Sequence, residues 1–257
     1  MHEVIRRDGD KELNREVMAL LWSAVAGGIT MSTSFMARGI LRANLPETDF
    51  GFLFEAMGYT VGFLFVIAAN QQLFTENTVT AVLPFMTRPD RRNLMRLLRL
   101  WGVVLAGNTL GGLIAAAVFA FMPVFPPDVG EAFVEIGHHL VEKPALQMLG
   151  GGIISGWLIA TMVWAIYATG QAKLAIIFLA TYLIAIGDFP HVIVGTVEVL
   201  HLLMLGETAT GAAIFRFWLP VLAGNVIGGT LIFALISHAQ VRADHDSGTD
   251  EDATAGR

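Results

Sequence analysis

Long apolar blocks constrain this chain more than any other feature. Val17–Ala37, Ala56–Thr75, Leu100–Pro127, Pro144–Ala172 and Phe217–Val241 contain no Asp, Glu, Lys or Arg. A helix needs about 20 mostly apolar residues to cross a bilayer, and each block is long enough. A further apolar stretch, Leu174–Leu205, is interrupted by Gly187-Asp188-Phe189-Pro190-His191. The second block is interrupted too, from Asn70-Gln71-Gln72 through Thr75-Glu76-Asn77. Charged residues make up 15% of the chain, against about 25% in soluble domains. That is too little polar side chain to coat a water-facing surface. The expected fold class is an all-α polytopic membrane protein with six transmembrane helices, the second and fifth broken at mid-membrane depth.

Composition also narrows the function. With no cysteine there is no disulfide, thiolate metal site or thiol nucleophile. A net charge of −6 without a basic, aromatic-interleaved patch argues against nucleic acid. The His138-His139 pair lacks further ligands at metal spacing. No nucleotide-binding, Ser-His-Asp or H-E-x-x-H signature appears. Neither an enzyme nor a cofactor is expected, and any transport is passive or ion-coupled.

Basic residues set the orientation. Arg6, Arg7, Lys11 and Arg15 precede the first span, and Arg88, Arg91, Arg92, Arg96 and Arg99 cluster between the second and third. Lys173, Arg242 and Arg257 fall on the same side, against Arg38, Arg42, Lys143 and Arg216 on the other. The positive-inside rule makes both termini cytoplasmic. Residues 1–16 read as a charged surface helix and 243–257 as a disordered acidic tail.

The chain repeats itself. A-G-N-x-x-G-G occurs at Ala106–Gly112 and again at Ala223–Gly229. Gly27-Gly28-Ile29 in the first span has a counterpart in Gly151-Gly152-Ile153 of the fourth. The two interruptions fall in the same place in each half. Residues 17–125 and 147–242 therefore read as two three-helix units, joined by an extracytoplasmic connection at 126–146. Three is odd, so the second copy enters the membrane inverted. Broken helices in inverted repeats meet near the midplane of transporters and channels, where irregular backbone is tolerated only inside protein or against water. Leu73–Thr78 and Gly187–Gly195 are the expected pore-lining segments.

Within them, His191 is an ionisable group at membrane depth, a functional candidate by default. Asp188 either pairs with it or caps the next helix. Thr75 and Asn77 offer a hydroxyl and an amide at the facing break. Glu76 either faces the cytoplasmic mouth or pairs with an Arg of the next loop, and would repel an anion if it faced the pore. Phe74 and Phe189 suit hydrophobic constrictions. Asn108 and Asn225 suit support of the breaks, alongside Pro190 and Gly195. Glu198 and His201 share a helix face.

L-F-T-x-N at Leu73–Asn77, the paired G-N-x-x-G-G and one histidine in the second break together resemble the formate/nitrite transporter family, over roughly Glu16 to Val241. The resemblance implies an aquaporin-like fold, a pore in each protomer and a homopentamer in the cell (inner) membrane. It implies small monovalent anions such as formate, nitrite, hydrosulfide, acetate or lactate as substrates. It places His191 and Thr75 between two hydrophobic constrictions, with Phe74 before the threonine.

The chain departs from the family pattern at several positions. Pro190 stands where the family has Glu, Gly195 where it has Asn, and Gly156 where a fourth-span Asn is common. Glu76 replaces a small residue, and Lys143 is the candidate for the family lysine. A bare anion pays a large solvation cost in a dry constriction. Transport of anion plus proton through His191 is the expected mechanism. A neutral-solute channel and a non-transporting membrane scaffold are the alternatives.

Overall fold

A computed structural model describes residues 2–234, with side chains to 231. The expected acidic tail, Arg242, Arg257 and the end of the last span lie outside the described residues. The described chain is helical: α1 (His2–Asn14), α2 (Val17–Asn44), α3 (Asp49–Ala68), α4 (Phe74–Thr80), α5 (Val82–Thr87), α6 (Arg91–Phe121), α7 (Pro127–Val141), α8 (Ala145–Thr169), α9 (Lys173–Ile186) and α10 (Val192–Leu205). A final helical run over 210–234 passes through α11 (Thr210–Ala212), a π segment (Ala213–Trp218), α12 (Leu219–Val226) and a second π segment (Ile227–Ala234).

Local chemistry sets the ends. Glu16 accepts from the Ala19 amide at 2.8 Å, Thr48 from Gly51 at 3.1 Å and Asp90 from Asn93 at 2.8 Å. Each satisfies an orphan donor of a helix N-terminus. Gly206, at φ 77°, closes α10 in the left-handed conformation that glycine adopts without strain.

Five helical stretches are long and apolar enough to cross a membrane: α2, α3, α6, Ala145–Ile186 and Thr210–Leu231. The fourth has 42 residues, far more than a bilayer core of about 30 Å requires. A 3₁₀ turn at Gly170–Ala172 divides it, and α9 packs back against α8. The outer surface is apolar, with Trp22, Phe50, Leu146, Leu179 and Phe215 exposed, as a lipid-facing wall requires.

The helices cross closely through their glycines. α2 packs on α6, and α8 on α12. A Cβ on Gly28 would strike the Asn108 carbonyl, and one on Gly156 the Asn225 carbonyl. Gly111 meets the backbone of Val25, and Gly228 that of Ile153. These contacts correct the glycine correspondence expected from sequence: Gly28 matches Gly156, one turn beyond Gly152. The runs Gly27-Gly28 and Gly151-Gly152 look alike, but the partner backbone decides which glycine must be bare.

Both expected breaks are present, and they are built alike. After α3, Ala69, Asn70 and Gln71 donate to Phe65, Ile67 and Val66. After α9, Gly187, Asp188 and Phe189 donate to Leu183, Ala185 and Ile184. Asn70 at φ 51° and Asp188 at φ 52° take the left-handed turn, which Asn and Asp tolerate better than other side chains. Leu73 and His191 then lie extended and cap α4 and α10.

Candidate functional site

Each break is held by an asparagine from the paired motif. Asn108 Oδ1 accepts the Phe74 amide at 2.9 Å, while its Nδ2 donates to Ala24 and Gln72 carbonyls at 2.8 Å. Asn225 Oδ1 accepts the Val192 amide at 2.9 Å, and its Nδ2 donates to Gly152 at 2.9 Å. Both side chains are fully buried. They replace the water that a broken helix would otherwise need. Ser155 joins the second set, accepting from Asn225 at 3.0 Å and donating to Pro190 at 2.5 Å. The residues singled out by sequence did not include Ser155 or Gln72, because small and amide side chains in a span carry no distinctive spacing.

The two breaks meet at one polar contact. His191 Nε2 lies 2.8 Å from Thr75 Oγ1, and both residues are 1% exposed. His191 Nδ1 accepts from the Val194 amide at 3.5 Å. That leaves the ring proton on Nε2, which donates to the threonine hydroxyl. The edge of Phe63 packs on the imidazole at 4.9 Å.

Cavities flank this contact. One, of about 380 Å³, is lined by Gln72, Glu76 and Asn77 with Glu12, Tyr167 and Lys173. The other, of about 30 Å³, is lined by Asp188, Phe189, Pro190, His191 and Gly195 with Arg38 and Glu198. Phe189 borders the smaller cavity. Phe74 borders neither and packs edge-on against Trp101 at 6.1 Å. Gly195 is bare because Phe217 and Leu140 occupy the space beside it.

Charged partners settle two open roles. Lys143 Nζ pairs with the Asp188 carboxylate, which also meets His139 Nε2 at 2.9 Å. The Asp188 carboxylate is thus taken up by Lys143 and His139 and makes no hydrogen bond to His191 among the described residues. Glu76 pairs with no Arg of the following loop among the described residues.

Glu198 and His201 part company. Glu198 meets Arg38 Nη1 at 3.3 Å, and Arg38 Nη2 meets Glu55 at 2.9 Å. His201 packs edge-on against the touching rings of Phe35 and Phe133. Sequence reading used Arg38 only for topology. The available signal was a cation and two carboxylates in apolar helices, which must find each other when buried.

An apolar helical wall, two broken helices meeting end to end and cavities on either side of the meeting point define a membrane channel or transporter. Comparison with known proteins gives the family. Residues 1–239 match the family model described as formate/nitrite transporter, and the chain belongs to that family. It is 54% identical to the "Inner membrane protein YfdC" of Escherichia coli (strain K12) over 244 residues, 95% of this chain and 79% of that one. It is 23% identical to the "Formate channel BtFdhC" of Bacillus thuringiensis over 88% of each.

The fold matches a "Pentameric formate channel with formate bound" with a TM-score of 0.75 at 19% identity. That match covers 88% of this chain and 98% of the other. An "FNT family ion channel" matches at 0.79 and 17%, over 93% and 98%.

Proposed function

We propose that this chain is a pore for a small monovalent anion or its weak acid, formate- or nitrite-like, with transport linked to a proton through His191. One observation carries the reading. Among the described residues, the His191–Thr75 hydrogen bond is the only polar contact between the two breaks, and each break borders one of the two cavities. A solute crossing between them must displace or exchange that bond. A neutral imidazole can donate to a carboxylate oxygen or pass a proton. Phe63 beside the ring and Phe189 at the smaller cavity present apolar surface, which penalises a bare anion. The protonated acid passes at lower cost, so net movement is anion plus proton.

The architecture we infer is a six-helix inverted 3+3 repeat over residues 17–125 and 147–242, aquaporin-like, with spans two and five broken. The matched hydrogen bonds of Asn108 and Asn225 support it. The protomers form a homopentamer in the inner membrane, with both termini cytoplasmic, as the excess of Arg and Lys on that side supports. A second reading, a channel for a neutral solute, is favoured by Pro190 in place of a carboxylate beside His191.

Purified protein in liposomes tests the first reading. Formate and nitrite uptake should rise as pH falls, and His191→Asn should abolish or reshape that dependence. Folded wild-type protein in liposomes no leakier than empty ones would overturn it.

A further inference from the structure

Glu76 is the residue that neither the break architecture nor the His191–Thr75 contact uses. It follows Thr75 directly, is half-buried, and lines the larger cavity. The charges around that cavity come from several elements. Asp8, Lys11 and Glu12 reach it from α1, and Lys173 and the Tyr167 hydroxyl from the α8–α9 side. Most are already matched. Asp8 pairs with Lys11 at 2.7 Å and accepts from Tyr167 at 3.2 Å. Glu12 pairs with Arg15 at 3.4 Å and accepts from Gln72 at 2.8 Å. The Glu76 carboxylate makes no hydrogen bond or ion pair with a described residue, and Lys173 forms no ion pair with it.

We propose that Glu76 sets the charge of the permeating species, barring free anions from the break and leaving the path to neutral solutes, the undissociated weak acid among them. This rests on the transport reading above. Lys173 lies on the facing wall and draws anions into the cavity. The half-buried carboxylate beside Thr75 meets them at the approach to the His191–Thr75 contact, where charge repulsion is less screened than in bulk water. An anion passes the carboxylate only as it takes up a proton, from cavity water or through His191.

Nitrate and formate separate the two claims, because nitrate stays ionised at any pH the protein survives. Proteoliposomes holding wild type, Glu76→Gln or Glu76→Asp would be assayed with each. Wild type should exclude nitrate at neutral pH and take up formate increasingly as pH falls. At neutral pH, Glu76→Gln should pass nitrate about tenfold faster than wild type, the change expected from removing one like charge near the path. Glu76→Asp should exclude nitrate as wild type does.

Equal nitrate rates in wild type and Glu76→Gln, with formate uptake intact, would overturn the charge-selection role alone. Absence of formate uptake by wild type at every pH would overturn the transport reading and this role with it.

Discussion

Asn108 and Asn225 are the residues on which both breaks depend. Each closes an amide of a restarting helix and bridges it to a neighbouring span, in a setting where no water reaches the backbone. Replacing either by Ala strands a buried N–H and at least one carbonyl. An unsatisfied buried group costs about 1–3 kcal/mol. Asn108→Ala and Asn225→Ala should therefore each lower the unfolding temperature in detergent, by similar amounts. A variant as stable as wild type would contradict the bridging role.

Gly156 is constrained as tightly for another reason. A side chain there meets the Asn225 backbone, so Gly156→Leu should prevent α8 from packing on α12 and yield aggregated protein on size-exclusion chromatography. The asparagines could be found from the repeated motif. Gly156 could not be separated from Gly152, because the identity of the facing backbone is not written in the local sequence.

At the level of elements, α2, α3 and α10 are tied by the Arg38–Glu55–Glu198 cluster beside the smaller cavity. A cation removed from buried carboxylates costs about 3–5 kcal/mol, while replacing the whole cluster with neutral groups is often tolerated. Arg38→Met should destabilise by that order, and Arg38→Met with Glu55→Gln and Glu198→Gln should recover most of it. A triple variant no better than the single one would show that packing, not charge, sets the cost.

The helix α1 behaves differently because it lies outside the membrane blocks. Arg6 and Arg7 hold the exposed Glu3 carboxyl down at about 2. Its contribution is therefore present above the usual carboxylate range and lost only as pH falls through about 2. Amide exchange in the first turns of α1, corrected for intrinsic rate, should be the same at mildly acidic and neutral pH. Loss of protection at mildly acidic pH would contradict this.

Both breaks were legible from polar residues within apolar blocks. The internal make-up of each was not. Thr75 lies 33 residues before Asn108 and His191 lies 34 before Asn225, a spacing that pairs the two, but the turn geometry matches Leu73 to His191. The left-handed turns at Asn70 and Asp188 set that register, and neither announces itself among so many polar break residues. The Lys143–Asp188 pair was hidden for a related reason: it joins two loops brought together only by folding.

For the whole molecule, the long apolar blocks were enough to read a membrane protein, and the paired motifs to find the asparagine that holds each break. Assembly and permeation belong to this scale. An apolar exterior carrying Trp22, Phe50 and Phe215 suits both lipid and neighbouring protomers. The proposed homopentamer should run, after correction for detergent, at five times the 27.8 kDa protomer mass in light scattering. A monomer in every mild detergent would contradict it.

On the proposed mechanism a solute crosses the His191–Thr75 contact together with a proton. The direct measurement is formate uptake into proteoliposomes recorded with lumenal pH in the same vesicles. The lumen should acidify in step with formate entry, with about one proton per formate, and His191→Asn should break the match. Formate entry that leaves lumenal pH unchanged, or a variant indistinguishable from wild type in both signals, would contradict it.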